Sequence, residues 1–106
     1  MNKYHAKRTW SELCQRTFAS KAECLRGEEL RLLELGREIW GLEYQVPFTL
    51  SAHPKVTITI DFSYWEWGKG ERVYEDVKGV LTRDFRTKLA WLKQLFDIDV
   101  ILTRGY

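Results

Sequence analysis

The spacing of hydrophobic and polar positions changes several times along this 106-residue chain. From Ser20 the spacing is helical, and one broad face carries the apolar residues Ala22, Leu25, Leu30, Leu32 and Leu33. Ser20 is followed three residues later by Glu23, which fits a capping box, and Gly36 fits a helix C-cap. The pattern predicts a first helix that ends near Leu35.

Alternating apolar positions then predict three strands. The first runs from Leu42 to Leu50, where Pro47 indicates a sheet edge or a bulge. The second covers residues 56–66, and its alternate apolar side chains are expected to face one way: Val56, Ile58, Ile60 and Phe62. Gly68-Lys69-Gly70 is a hairpin turn signal, after which residues 72–78 return as the third strand.

A second helix and a last strand complete the prediction. Thr82 can cap a helix whose apolar stripe is Phe85, Leu89, Leu92 and Phe96, and residues 97–102 form a short strand. The order of helix, three strands, helix and strand predicts an α/β fold with a mixed sheet. We expect one domain over residues 20–106, preceded by a basic, weakly structured arm over residues 1–19.

Composition narrows the class of protein. Hydrophobic residues make up 44% and charged residues 30%, which predicts a folded chain, and the net charge of +2 excludes a histone-like tail. No apolar run approaches the roughly 20 residues of a membrane span, and no signal-peptide core is expected near the start. Cys14 and Cys24 are too few for a disulfide framework or a zinc site, so we expect a reduced cytoplasmic protein without a membrane partner.

The residues with catalytic potential lie on the second and third strands. Asp61 interrupts an otherwise hydrophobic strand, on the face opposite Ile58 and Ile60. Asp76 and Lys78 are two residues apart, so their side chains leave the same face of the third strand. A turn of even length, or a bulge, would bring Asp61 to that face as well.

Two carboxylates on one face suit a hard divalent cation such as Mg²⁺, with Mn²⁺ as a substitute. The carbonyl of Val77 could supply a further ligand. The ammonium group of Lys78 could orient an attacking water or stabilise charge on a pentacovalent phosphate, as phosphodiester cleavage requires. A solvated strand face with a surface ion pair is the plainer alternative.

Asp61 followed by Asp76-Val77-Lys78 resembles the PD-(D/E)XK nuclease signature, and the element order matches the αβββαβ core of that restriction-endonuclease-like superfamily. More narrowly, the chain is similar to a family of small phage and prophage proteins, mostly of unknown function, within that superfamily. Five sequence blocks carry this resemblance: Asn2-Lys3-Tyr4, Ser20-Lys21-Ala22-Glu23, Leu42-Glu43-Tyr44-Gln45 with Phe48, Asp61-Phe62, and Glu75-Asp76-Val77-Lys78-Gly79.

The resemblance implies a further site residue, since many superfamily members carry a glutamate on the first core helix that completes the metal site. Glu23 occupies that place here, and its carboxylate would have to choose between the metal and the capping box. Gly27 is a departure, because the family tends to have a bulky aromatic residue nearby. The resemblance thus implies a catalytic set of Glu23, Asp61, Asp76 and Lys78, in which the three carboxylates and Val77 bind the metal.

Basic residues outside this set are candidates for binding the DNA backbone. In the arm they are Lys3, His5, Lys7 and Arg8, for which a disordered tail is the alternative. On the second helix they are Arg83, Arg86 and Lys88, for which ordinary helix-surface solvation, or a lysine snorkelling beside the apolar stripe, is the alternative. Tyr64, Trp65 and Trp67 near the hairpin tip could pack in the core, stack on unpaired bases or contact a second subunit.

These expectations favour a Mg²⁺-dependent endodeoxyribonuclease, phage or prophage encoded and acting in the bacterial cytoplasm. One active site cuts one strand, so paired incisions would need a homodimer, and branched DNA or a Holliday junction is the preferred substrate. The alternatives are a non-catalytic nucleic-acid-binding module and a phage assembly protein with the same fold.

Overall fold

The computed structural model describes residues 7–104, which contain two helices and six strands. In chain order these are β1 (Thr9–Ser11), β2 (Arg16–Phe18), α1 (Lys21–Leu35), β3 (Ile39–Ala52), β4 (Lys55–Glu66), β5 (Arg72–Lys78), α2 (Arg83–Phe96) and β6 (Val100–Arg104). The predicted order of helix, three strands, helix and strand is confirmed from α1 onwards.

The main sheet has the strand order β3-β4-β5-β6. Its first three strands are antiparallel, and the crossover through α2 makes β6 parallel to β5, so the protein is a mixed α/β fold as predicted. Pro47 lies in β3, an edge strand, where its missing N–H costs no ladder hydrogen bond. Neither helix in residues 7–104 is long and apolar enough to cross a membrane.

Residues 9–18 correct the prediction of a weakly structured arm. They form an antiparallel β1–β2 hairpin, which the sequence pattern missed because each strand is only 3 residues long. The hairpin is fixed to α1, since Ser11 donates a hydrogen bond to the Glu28 carboxylate and the ring of Phe18 is 2% exposed. The folded unit therefore begins before Ser20.

Helix α1 has the predicted ends but a different buried face. Ser20 accepts a hydrogen bond from the N–H of Glu23, and Gly36 ends the helix. Leu25 and Leu32, predicted to face the core, are more than half exposed. The face is rotated because Gly27 lies beneath the Phe18 ring, and the residues buried on α1 are Glu23, Cys24, Gly27 and Leu30.

The core has two clusters, one beneath each helix. Phe62 and Tyr64 of β4 pack in the cluster that contains Leu30 of α1, whereas Ile58 and Ile60 pack with Leu92 of α2. The expectation that Ile58, Ile60 and Phe62 share one face is thus wrong. The change falls at Asp61, and Gln45, opposite Asp61 in the β3–β4 register, has a left-handed φ of 52°.

Helix α2 follows its prediction, and the last strand begins later than predicted. Thr82 accepts a hydrogen bond from the N–H of Phe85 and caps α2. Asp97 adopts a left-handed conformation as the C-cap (φ 56°), so the chain pairs with β5 only from Val100 onwards.

Candidate acidic site

The register of the β4–β5 hairpin brings Asp61 and Asp76 together. Trp65 pairs with Arg72, so an even number of residues, 66 to 71, lies between the paired positions. Continued past Phe62 and Glu75, this register places Asp61 opposite Asp76. Side-chain hydrogen bonds replace the ladder there, because Asp76 Oδ1 accepts from the Asp61 N–H at 2.9 Å. The even-length requirement read from the sequence is met.

Asp61 in turn binds the backbone of β5. Its Oδ2 accepts a hydrogen bond from the Val77 N–H at 2.9 Å. The two aspartates therefore clamp the strands to each other at the point where the regular ladder ends. Asp76 is fully buried, and Asp61 is 9% exposed.

Lys78 lies beside Asp76, as the two-residue spacing predicted. Its Nζ is 3.1 Å from Asp76 Oδ2 and 4.0 Å from the centroid of the Phe85 ring. The contact has ion-pair distance but not hydrogen-bond geometry, and Asp76 Oδ2 is a buried oxygen without a hydrogen-bond partner within residues 7–104. The Lys78 side chain is 32% exposed, so its ammonium group reaches solvent as well as the aspartate.

Glu23 joins the aspartates from the first turn of α1. Only the backbone half of the capping box forms, since Ser20 Oγ accepts from the Glu23 N–H while the Glu23 carboxylate extends towards the sheet. There Gln45 Nε2 lies 3.3 Å from Glu23 Oε2 and 3.3 Å from Asp61 Oδ1. The structure thus brings together Glu23, Asp61, Asp76 and Lys78, which we call the acidic cluster.

Crowding of carboxylates alters their ionisation. Burial, followed by the charges of Asp76 and Glu23, raises the pKa of Asp61 to about 8. Burial also raises the pKa of Glu23, although a hydrogen bond with the Asp61 side chain acts in the opposite direction. At neutral pH the acidic cluster therefore retains a proton that isolated carboxyl groups would have lost.

The acidic cluster borders a cavity of about 830 Å³. Glu23, Asp61 and Lys78 line it, and so do several other cations: Lys7, Lys21 and Lys88. Lys88 is 3.5 Å from the carboxylate of Asp84. The cavity lining therefore combines the carboxylates of Glu23 and Asp61 with the ammonium groups of lysines.

The remaining predicted DNA-binding residues are not part of this cavity. Arg8, Arg83 and Arg86 are exposed and lie outside its lining. Lys3 and His5 fall outside the described residues. Of the predicted cations, Lys7 and Lys88 are those that the structure places beside the acidic cluster.

The acidic cluster fits a hard divalent cation by its donor chemistry rather than by its spacing. Residues 7–104 contain no group of three His, Cys, Asp or Glu side chains spaced to hold a metal ion. The carboxylate oxygens instead contact groups of the chain itself, namely the amide of Gln45, the N–H of Val77 and the ammonium of Lys78. Even so, three buried carboxylates with one unsatisfied oxygen are the donor set that Mg²⁺ and Mn²⁺ prefer.

Glu75, the neighbour of Asp76, belongs to a separate network on the α1 side of β5. Its carboxylate accepts hydrogen bonds from Arg26, Tyr64 Oη and Thr103 Oγ1, and it is 1% exposed. These donors lower the pKa of Glu75 against the effect of burial. Glu75 is therefore a structural residue that links α1, β4, β5 and β6.

The aromatic residues near the tip of the β4–β5 hairpin differ in their surroundings. Tyr64 is buried in the core, where its hydroxyl binds Glu75. Trp65 stacks on Trp40 with centroids 5.3 Å apart, and Trp67, 59% exposed, lies 5.7 Å from the ring of Trp40. Core packing therefore accounts for Tyr64. The three tryptophans form a partly exposed aromatic group at the end of the β3–β4 hairpin that lies away from its turn.

Comparison with known proteins gives one match. A family profile described as "Protein of unknown function (DUF1064)" matches residues 1–103, nearly the whole chain. No curated protein and no solved structure matches significantly.

Proposed function

The chain belongs to the DUF1064 family, and we propose that it is a metal-dependent DNA endonuclease of the PD-(D/E)XK type. One observation carries the proposal: an acid-x-Lys strand, a second aspartate and a helix glutamate converge in one cluster, of which Glu23, Asp61 and Lys78 line the cavity. Asp76 and Lys78 leave the same face of β5, while Asp61 and Glu23 come to it from β4 and α1. The order of elements from α1 to β6, with a mixed sheet, further supports this resemblance.

In this proposal Glu23, Asp61 and Asp76 hold Mg²⁺ or Mn²⁺, with the Val77 carbonyl as a further candidate ligand. The bound metal would neutralise phosphate charge and favour a hydroxide nucleophile. Asp76 brings a buried oxygen that has no hydrogen bond to lose, and Asp61 must release its proton before its carboxylate can bind a cation.

Lys78 is suited to act on the phosphate or on the attacking water. Its ammonium group is held between the Asp76 carboxylate and the Phe85 ring, yet part of it faces the cavity. A donor held in this way can stabilise charge that develops on a phosphate oxygen without reorganising first.

The cations around the cavity would bind the DNA backbone. Lys7, Lys21 and Lys88 line its rim, and the exposed Arg83 and Arg86 extend the positive surface along the first turns of α2. Contacts of this kind bind phosphates without reading bases, so affinity should fall steeply with salt.

A plasmid-nicking assay tests the proposal. Supercoiled DNA is incubated with protein and Mg²⁺ or Mn²⁺, with and without chelator. We expect metal-dependent nicking by the wild type and its loss in Lys78→Ala. The matched control is Lys69→Ala, because Lys69 is a hairpin lysine paired with Glu66 and lies away from the cavity. Wild-type protein that leaves both the plasmid and four-way-junction DNA intact in both metals would contradict the proposal.

Substrate structure and assembly are finer parts of the same proposal. We propose a branched substrate such as a four-way junction and a homodimer that makes paired incisions. Linear, single-stranded, flap and junction DNA are compared at equal concentration, and light scattering gives the mass in solution. Equal cleavage of linear duplex and junction by a monomer would overturn both refinements while leaving the endonuclease in place.

The second candidate is a non-catalytic nucleic-acid-binding module of the same fold. It is favoured by the spacing of the acidic cluster, in which Gln45 and Lys78 already engage the carboxylates. Salt-sensitive DNA binding that persists in chelator, with no cleavage by the wild type, would support this candidate.

A further inference from the structure

Gln45 is the one residue among those described that hydrogen-bonds both Glu23 and Asp61 through its side chain. Its Nε2 is 3.3 Å from an oxygen of each carboxylate, so the amide connects α1 to β4 through β3. Both bonds are longer than the usual 2.9–3.0 Å for N–H···O. The amide therefore holds the two carboxylates near each other without a tight bond to either.

The backbone of Gln45 gives a second, independent reason to assign it a role. It lies inside strand β3 with φ 52°. This left-handed conformation is easy for glycine, but residues with a side chain seldom adopt it, apart from asparagine and aspartate. Strained backbone of this kind persists where the surrounding structure enforces it, and it concentrates at functional sites. Gln45 lies at the point along β3 and β4 where the buried side chains change from the cluster beneath one helix to the cluster beneath the other.

We propose that Gln45 is a positioning residue for divalent-metal binding, because its amide fixes the separation of the Glu23 and Asp61 carboxylates. This inference rests on the proposed function, since it takes these carboxylates as metal ligands. Gln45 is the described side chain that hydrogen-bonds both carboxylates, whereas Asp76 and Lys78 act on both of them through their charges. Without the amide, Glu23 on α1 would be less constrained relative to Asp61 on β4, which would oppose binding of one ion by both.

Gln15 provides a matched control within the same chain. It is also a glutamine with a left-handed backbone, φ 54°, but it lies in the β1–β2 turn, where its amide donates to the Glu12 carbonyl. Replacing either glutamine by glycine relieves the same type of backbone strain. Only the change at Gln45 removes an amide from the acidic cluster.

The test is a Mn²⁺ titration of the purified full-length chain at fixed pH, followed by electron paramagnetic resonance of the free ion. Gln45→Gly and Gln45→Leu should each weaken Mn²⁺ binding by about tenfold, the loss of one or two hydrogen bonds to charged groups. Gln15→Gly should bind Mn²⁺ like the wild type. Gln45→Leu keeps the side-chain volume, and urea unfolding checks that each variant is folded, so a lost fold is not read as lost affinity.

Mn²⁺ affinity within twofold of the wild type in both folded Gln45 variants, or tighter binding, would overturn the inference. In that case a wild type that still nicks plasmid would leave the endonuclease standing. Conversely, tenfold weaker binding in the Gln45 variants of a chain that never cleaves DNA would uphold Gln45 and refute the endonuclease. A wild type that binds no Mn²⁺ would refute both.

Discussion

Glu75 and Asp76 are consecutive residues of one strand, both fully buried, and their surroundings are opposite in character. Glu75 faces α1 and is hydrogen-bonded by Arg26, Tyr64 and Thr103, so its pKa is lowered. Asp76 belongs to the acidic cluster, where it keeps one buried oxygen without a hydrogen bond within residues 7–104 and helps to raise the pKa of Asp61.

The difference separates an acid with a structural role from the acids to which we assign metal binding in the proposed function. A buried carboxylate is stable when donors from the chain satisfy it, and costly when they do not. Glu75 meets the first condition. In the acidic cluster, by contrast, Asp76 Oδ2 has no hydrogen bond within residues 7–104, and Lys78 is the cation at ion-pair distance from it. Strongly perturbed ionisation beside a cavity is the usual mark of a functional site.

The largest contrast is expected in cleavage rate. Asp76→Asn keeps an oxygen to accept from the Asp61 N–H but removes the charge, so metal-dependent nicking should fall by about 10³-fold or more. Glu75→Gln, one residue away, should retain nicking within about tenfold because the Glu75 carboxylate binds Arg26, Tyr64 and Thr103 rather than the acidic cluster. Initial rates on supercoiled plasmid give both values. Equal losses in the two variants would remove the distinction between the two acids.

The free energy of unfolding, in contrast, should depend strongly on Glu75. Glu75→Ala leaves Arg26 without its buried partner and removes the acceptor of Tyr64 and Thr103, so the free energy of unfolding should drop by about 3 kcal/mol. Urea titration followed by tryptophan fluorescence measures it. The control is Glu29→Ala, which removes the exposed partner of the same arginine and should change stability by less than about 0.5 kcal/mol.

Asp61 and Glu75 should make the free energy of unfolding depend on pH in opposite directions. Asp61 has a folded pKa of about 8 against an ordinary value of 3.8, so the folded chain keeps a proton that the unfolded chain releases. The free energy of unfolding should therefore fall as pH rises from about 4 to about 8, by up to about 1.4 kcal/mol per pH unit. Glu75, with a lowered pKa, contributes stability that is lost only when pH falls through that lowered value.

Urea unfolding in chelator between pH 6 and pH 7.5 measures this dependence, to which Asp61 should contribute about 2 kcal/mol over that interval. Asp61→Asn should flatten this dependence and raise stability at the upper end. A wild type whose slope matches that of Asp61→Asn would show that Asp61 ionises normally.

The pattern of the chain predicted most of the elements, since caps and periodicities are local. Ser20, Thr82 and Gly36 lie where the caps were expected, and residues 72–78 are the strand that alternation indicated. An even number of residues between the paired positions of β4 and β5 is the condition for Asp61 to lie opposite Asp76, and the register meets it. Glu23 came from a family resemblance, because no local signal distinguishes a metal ligand from a capping glutamate.

The position of Gln45 could not be predicted, because it depends on a single irregularity in pairing. Ala52 pairs with Lys55, and an unbroken ladder from there would place Asp61 opposite Val46. A register shift between Thr49 and Ser51 moves the pairing by one residue and brings Gln45 opposite Asp61 instead. Such a shift depends on long-range packing rather than on any residue signal in the hairpin.

The smallest expected effect concerns α1. This helix carries Arg26, which binds Glu75, and Glu23, which lies beside Asp61. At Gly27 of α1 an added Cβ would lie 2.6 Å from Cζ of Phe18. Gly27→Ala gains about 1 kcal/mol of helix propensity, but it displaces a buried ring at a cost of about 1–3 kcal/mol. We therefore expect a net loss of about 1 kcal/mol in urea unfolding.

Gly36→Ala is the control, since its Cβ would meet the nearest atom at 3.4 Å. If Gly27→Ala shifts α1 as a unit, Mn²⁺ affinity should weaken together with stability. A loss of stability alone would show that the Phe18 ring yields while Glu23 stays in place.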